Sequence, residues 1–241
     1  LLLRQSGAAR PLARRRAAGL APTQTGARQS APTLGKWLHH ASPIALASLL
    51  ALAYGRFDQF YIRHYAAAET LGDYTLANRV VEPLLFVAAA LYSTIYARAS
   101  TIVQHRADRT NLRHDILRWG RFMLAYALTA AVVAGGLAGL LLPRVFPSYT
   151  EALPYLWIAL AALVFRCLNL CCTAFIQALG HYRLMLGVSI WNFCAILTLV
   201  FVLGSYWGAV GAAWAVAIGE ILNTVIQTTS LQRLIRKVQP S

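Results

Sequence analysis

Six blocks of apolar residues, each roughly 20 residues or longer, take up most of this chain. They run over about 43–65, 74–97, 121–142, 153–177, 184–204 and 209–231. A bilayer core about 30 Å thick demands that length of a helix. The blocks are continuous and do not alternate as amphipathic stripes do, so nothing in them sets aside a face for water. Composition agrees: 58% of the residues are hydrophobic, 12% are charged, and the mean hydropathy is +0.53. A soluble domain of this size needs far more charge to cover its surface. The sequence predicts an all-α, polytopic membrane protein. Its parts are a basic segment over 1–42, a bundle of six transmembrane helices over 43–232, and a short basic tail over 233–241.

The net charge of +14 would suggest nucleic acid in a soluble chain. Its distribution says otherwise. Arg4, Arg10, Arg14, Arg15, Arg16, Arg28 and Lys36 precede the first block, and Arg98, Arg106, Arg109, Arg113, Arg118 and Arg121 lie between the second and third. Arg183 follows the fourth block, and Arg233, Arg236 and Lys237 follow the sixth; the other set of loops holds only Arg63 and Arg144. Seventeen against two is the positive-inside pattern, which places both termini in the cytoplasm. No basic stretch carries the interleaved aromatics of a base-stacking surface, so no nucleic-acid partner is expected. Residues 1–35 are rich in Arg, Ala, Gly, Pro, Gln and Ser, without an acid, which fits a disordered segment drawn to anionic lipid. The same Arg-rich, acid-poor composition also mimics a transit peptide, but the disordered-segment reading is preferred.

Several local features set helix ends. Pro143 and Pro147 in LLPRVFPSY are expected to stop the third helix. GSYWGAVGAAW leaves room for only a tight hairpin between the last two, with Gly208, Gly211, Ala212 and Ala213 as a small-residue packing surface. RADRTNLRHDILRWGRF predicts a basic amphipathic helix on the cytoplasmic face, with Leu112, Ile116 and Trp119 inward. Cys167, Cys171, Cys172 and Cys194 lie within blocks without metal-ligand spacing and read as small buried residues, so neither metal nor cofactor is expected.

The informative residues are ionisable groups inside the blocks. Arg56 lies roughly 20 Å from the start of the first block and about 10 Å from its far boundary. Facing lipid there would cost at least about 2.5 kcal/mol. Arg56 shares a helical stripe with Gln59 and Arg63, whereas Asp58 falls with Tyr54, Tyr61 and Tyr65 on nearly the opposite side. One stripe can face an aqueous cavity while the other meets a neighbouring helix. Arg79 and Glu82 can pair with each other at i, i+3, next to Pro83. Arg166 and Asn169 have the same spacing, and Glu220, Asn223 and Gln227 share one stripe. Asn192 reads more simply as a polar group that bonds across helices. Arg56 and Arg166 have no acid one turn away in their own helix, which points to a substrate and away from local packing.

The order of features resembles a family. RFDQFYIRHYAAAETLGDYTLANRVVEPL, with Arg-x-Asp in one span and Gly72, Tyr74 and Ala77 opening the next, is similar to the seventh and eighth spans of prokaryotic lipid-linked oligosaccharide flippases. FIQALGHYR, a span containing Asn192, and YWGAVGAAWAVAIGE resemble their last three spans. These proteins belong to the multidrug/oligosaccharidyl-lipid/polysaccharide exporter superfamily. The likeness covers about residues 36–236 and only the C-terminal, six-helix half. It departs at Ala97, where many relatives have a proline.

The resemblance implies a transporter and not an enzyme. It would flip a polyprenyl-pyrophosphate-linked O-antigen or capsule repeat unit across the bacterial inner membrane. Its partners would be the bilayer, a six-helix N-terminal half missing from this chain, and the polysaccharide polymerase machinery. Arginine forks bind phosphate through two donors and stay charged, so Arg56, Arg79 and Arg166, with Asn169, are the expected substrate-binding residues. Asp58, Glu82 and Glu220 are the candidates for a coupling proton. No catalytic constellation is visible. The alternatives are a multidrug exporter of the same superfamily, and an integral-membrane scaffold or sugar transferase subunit.

Overall fold

A computed structural model describes residues 34–104 and 109–238; the readings of residues 1–33, of Arg106 and of the last three residues lie outside them. The chain divides into two units, 1–40 and 41–241. Of the first, only the opening of one helix is described; the second holds the bundle. The elements are α1 (Leu34–Tyr65), α2 (Ala68–Gln104), α3 (Arg109–Val145), a 3-10 turn (Pro147–Tyr149), α4 (Ala152–Ala178) and α5 (Tyr182–Val238). There is no strand among the described residues.

Four of these helices, α2 to α5, are long and apolar enough to cross a membrane, as in a membrane protein. Two local facts separate this number from the six blocks. In α1 the apolar run is diluted at Arg56, Asp58 and Gln59, so it falls short on hydropathy. The fifth and sixth blocks form a single 57-residue element, α5, interrupted at Gly208 by a non-helical backbone (φ 60°, ψ −138°). A straight helix of that length would run roughly 85 Å, far beyond a bilayer. Instead it doubles back. A methyl group on Gly211 would lie 2.0 Å from the Leu203 carbonyl oxygen, and one on Gly219 would strike the Ile196 side chain. Residues 8 and 23 apart in sequence touch only if the arms before and after Gly208 pack antiparallel. This is the expected tight hairpin, and Ala212 and Ala213 are buried in it. The conformation at Gly208 is one that essentially only glycine adopts.

Within this unit α4 is central, flanked by α2, α3 and α5. Half of its apolar window is buried, against 17% in α2 and α3, whose outer faces expose Phe86 and Val132 as a lipid-facing helix would. The larger core joins the N-terminal half of α4 to the far end of α1, the start of α2 and both arms of α5 near their turn. A smaller core at the other end of the bundle gathers Ile95, Leu112, Met123, Phe175, Ile176 and Leu231. Exposed arginines surround that end: Arg98, Arg113, Arg118, Arg121, Arg233 and Arg236.

Three local expectations change. No separate surface helix precedes α3; residues 109–121 continue its axis, because Gly120 alone is too weak a breaker to end a helix with packed neighbours on both sides. Leu112, Ile116 and Trp119 do turn inward, onto the smaller core. Pro143 sits inside α3, where only one ladder bond is lost near the end, and Arg144 Nη1 donates to the Leu140 carbonyl at 2.7 Å. The helix stops just before Pro147. Cys167 and Cys171 are buried, whereas Cys194 is exposed on the outward side of α5.

Candidate functional site

A cavity of about 420 Å³ opens beside α4. One wall is α1, mostly apolar, with Ile44, Ala47 and Ala51. The opposite side is polar, and its pattern is helical. On α4, Arg166, Asn169, Thr173 and Gln177 recur at i, i+3, i+7 and i+11, so one face presents polar groups along roughly 16 Å. On the second arm of α5, Glu220, Asn223 and Gln227 recur at i, i+3 and i+7. The first arm supplies Ser189 and Asn192.

The two polar faces are stitched together. Arg166 Nε donates to Glu220 Oε1 at 2.9 Å, and Asn169 Nδ2 donates to Glu220 Oε2 at 2.8 Å. Glu220 is almost wholly buried, with 3% of its side chain exposed, whereas the Arg166 side chain keeps 25%. Thr173 donates to Gln227 at 3.0 Å, and Gln227 donates to Asn223 at 3.1 Å. Tyr92 of α2 donates to Gln177 at 2.5 Å. Buried ionisable groups persist only when paired in this way.

Arg56 and Arg79 lie elsewhere. Arg56 Nη2 meets Glu82 Oε1 at 3.4 Å, and Arg79 Nη1 meets Glu82 Oε2 at 3.0 Å, so two arginines share one carboxylate across α1 and α2. Arg56, Gln59 and Arg63 line a second, open depression together, as their common stripe predicts. The side chains of Arg56 and Arg79 remain 55% and 67% exposed. The three arginines therefore line no common cavity: Arg166 belongs to the larger one beside α4 and Arg56 to the second depression. Asp58 is on the other face of α1, 5% exposed, where it accepts from the Tyr74 hydroxyl of α2 and from the Gln59 amide at 2.8 Å.

Sequence spacing could not find the cross-helix partners. Arg56 and Arg166 lack an acid one turn away in their own helices, yet each finds one, 26 and 54 residues away. Tyr54, Thr173, Gln177 and Ser189 also line the main cavity. For Thr173 and Gln177 the signal was available, as a continuation of the Arg166–Asn169 stripe. Tyr74 offers a clean test of the α1–α2 contact. Tyr74→Phe should cost about 1–3 kcal/mol, because it strips a bond from a buried carboxyl group. An unchanged thermal midpoint would show that the hydroxyl holds nothing.

Among the described residues no cluster of His, Cys, Asp and Glu could hold a metal ion. No protein family, curated protein or solved structure matches the chain.

Proposed function

We propose that this chain is the six-helix half of a transporter that flips a polyprenyl-pyrophosphate-linked oligosaccharide across the bacterial inner membrane, with both termini in the cytoplasm. The observation that carries the reading is the state of Arg166. It is bonded to Glu220 through Nε alone, and its side chain is partly open on a cavity with one polar and one apolar side. The outer edge of the guanidinium can then meet a phosphate through two donors. Glu220 holds the fork in position, and an arriving anion competes with it. Of the three acids read from sequence, only Glu220 lines this cavity. The exposed Arg56–Glu82–Arg79 cluster at membrane depth would be covered by a second bundle or by water between the bundles. The remaining partners are the bilayer and the polymerase machinery that consumes the flipped unit. No enzymatic step is assigned.

One observation favours a second reading. Arg166 and Glu220 satisfy each other, as a packing device requires. Export complementation, normalised to folded protein in the membrane, separates the two. Arg166→Lys keeps the charge and loses the fork, so it should export several-fold less at near-normal folded amount. Export at wild-type level by that variant would favour packing.

A further inference from the structure

Among the described residues, three buried side-chain atoms lack a hydrogen-bond partner: Nδ2 and Oδ1 of Asn192 and Oδ1 of Asn169. They are not scattered. Both residues line the 420 Å³ cavity, and their exposures are 1% and 6%. The orientation of Asn169 is fixed by chemistry: its Nδ2 donates to the Glu220 carboxylate, which accepts only, so Oδ1 must turn away. The Tyr54 hydroxyl of α1 lies beside Asn192 at the cavity wall. On the same floor Thr173, Gln177, Asn223 and Gln227 all have bonded neighbours.

We infer that Asn192, with the free oxygen of Asn169, forms a subsite for the hydroxyl edge of a saccharide ring, separate from the anion-binding edge of Arg166. This rests on the transport of a glycan-bearing lipid proposed above. Phosphate and carboxylate accept only, and would leave both free oxygens unmatched. A hydroxyl both gives and takes, so neighbouring hydroxyls on a ring can satisfy a donor and two acceptors at once. The facing wall of Ile44, Ala47 and Ala51 suits the C–H face of the same ring. Asn192 thus becomes the residue that distinguishes a glycosylated lipid from a bare one.

The test uses the purified chain in lipid nanodiscs and three tritiated probes: farnesol, farnesyl glucoside (sugar without anion) and farnesyl diphosphate (anion without sugar). Wild type should bind the glucoside about tenfold more tightly than farnesol, the increment of one or two neutral hydrogen bonds. Asn192→Leu should erase that difference, leave diphosphate binding unchanged, and keep or raise the thermal midpoint, since it removes an unmatched amide. Asn192→Ser, which keeps one hydroxyl, should retain about threefold. Equal affinity of wild type for glucoside and farnesol would overturn the subsite. So would a glucoside preference that survives Asn192→Leu, or a lower midpoint in both variants, which would mark the amide as structural. Failure of the anion reading looks different: farnesyl diphosphate would bind no better than farnesol, whatever the glucoside does.

Discussion

Arg166→Gln will destabilise the bundle by about 3–5 kcal/mol, and adding Glu220→Gln will restore most of the loss. The asymmetry follows from burial. Glu220 has 3% of its side chain exposed and receives one bond from Arg166 and one from Asn169. Without the guanidinium, a carboxylate remains in a low-dielectric site with one neutral donor. With both groups neutral, the two amides can bond to each other and to Asn169, and no buried charge is left. The measurement is a double-mutant cycle on thermal unfolding in detergent. Losses that simply add would mean that the two side chains do not act as a pair. The same double variant bears on function, because it folds without a cation in the cavity. Folded protein with little export shows that the pair does more than pack. Folded protein with full export reduces the pair to a packing device.

The second large effect is steric. Gly211→Ala should abolish the folded monomer, a loss exceeding the ~1–3 kcal/mol of ordinary overpacking. The added methyl group would sit 2.0 Å from the Leu203 carbonyl oxygen and 2.5 Å from its carbon. These are backbone atoms, so no rotamer change relieves the contact and the arms must part. Gly187→Ala is the control: it lies in the same element, is exposed, and has no atom within 4 Å of the added carbon. It should be neutral or stabilising by up to about 1 kcal/mol. A normal size-exclusion profile for Gly211→Ala would contradict the close crossing of the two arms.

The contrast between these two predictions shows what the sequence could reveal. The hairpin was legible because its cause is local: glycines and alanines crowded between two apolar blocks permit only a short turn. Helical stripes were legible for the same reason, and Arg56, Gln59 and Arg63 do share a surface while Asp58 meets α2. What joins Arg166 to Glu220 is tertiary. Nothing in the stretch between them encodes that pairing, so Arg166 looked unpartnered when it was not. Asn192 is the opposite case. A single amide in a span reads as glue between helices, and only the packed structure reveals that it has no partner. α1 was less legible, because its apolar run ends at Arg56 and Asp58, whose bonding partners Glu82 and Tyr74 lie on α2.

The turn at Gly208 also acts as a gauge. Asn192 and Glu220 lie on opposite arms, 16 residues before it and 12 after it, yet both must face the same cavity. In a helix each residue turns the chain by about 100°, so inserting or deleting one residue between either group and the turn would swing that group about a quarter turn away. The two arms can therefore vary in the composition of their outward faces but not in their length up to the turn. What holds the cavity in register is a count of residues, fixed at one glycine.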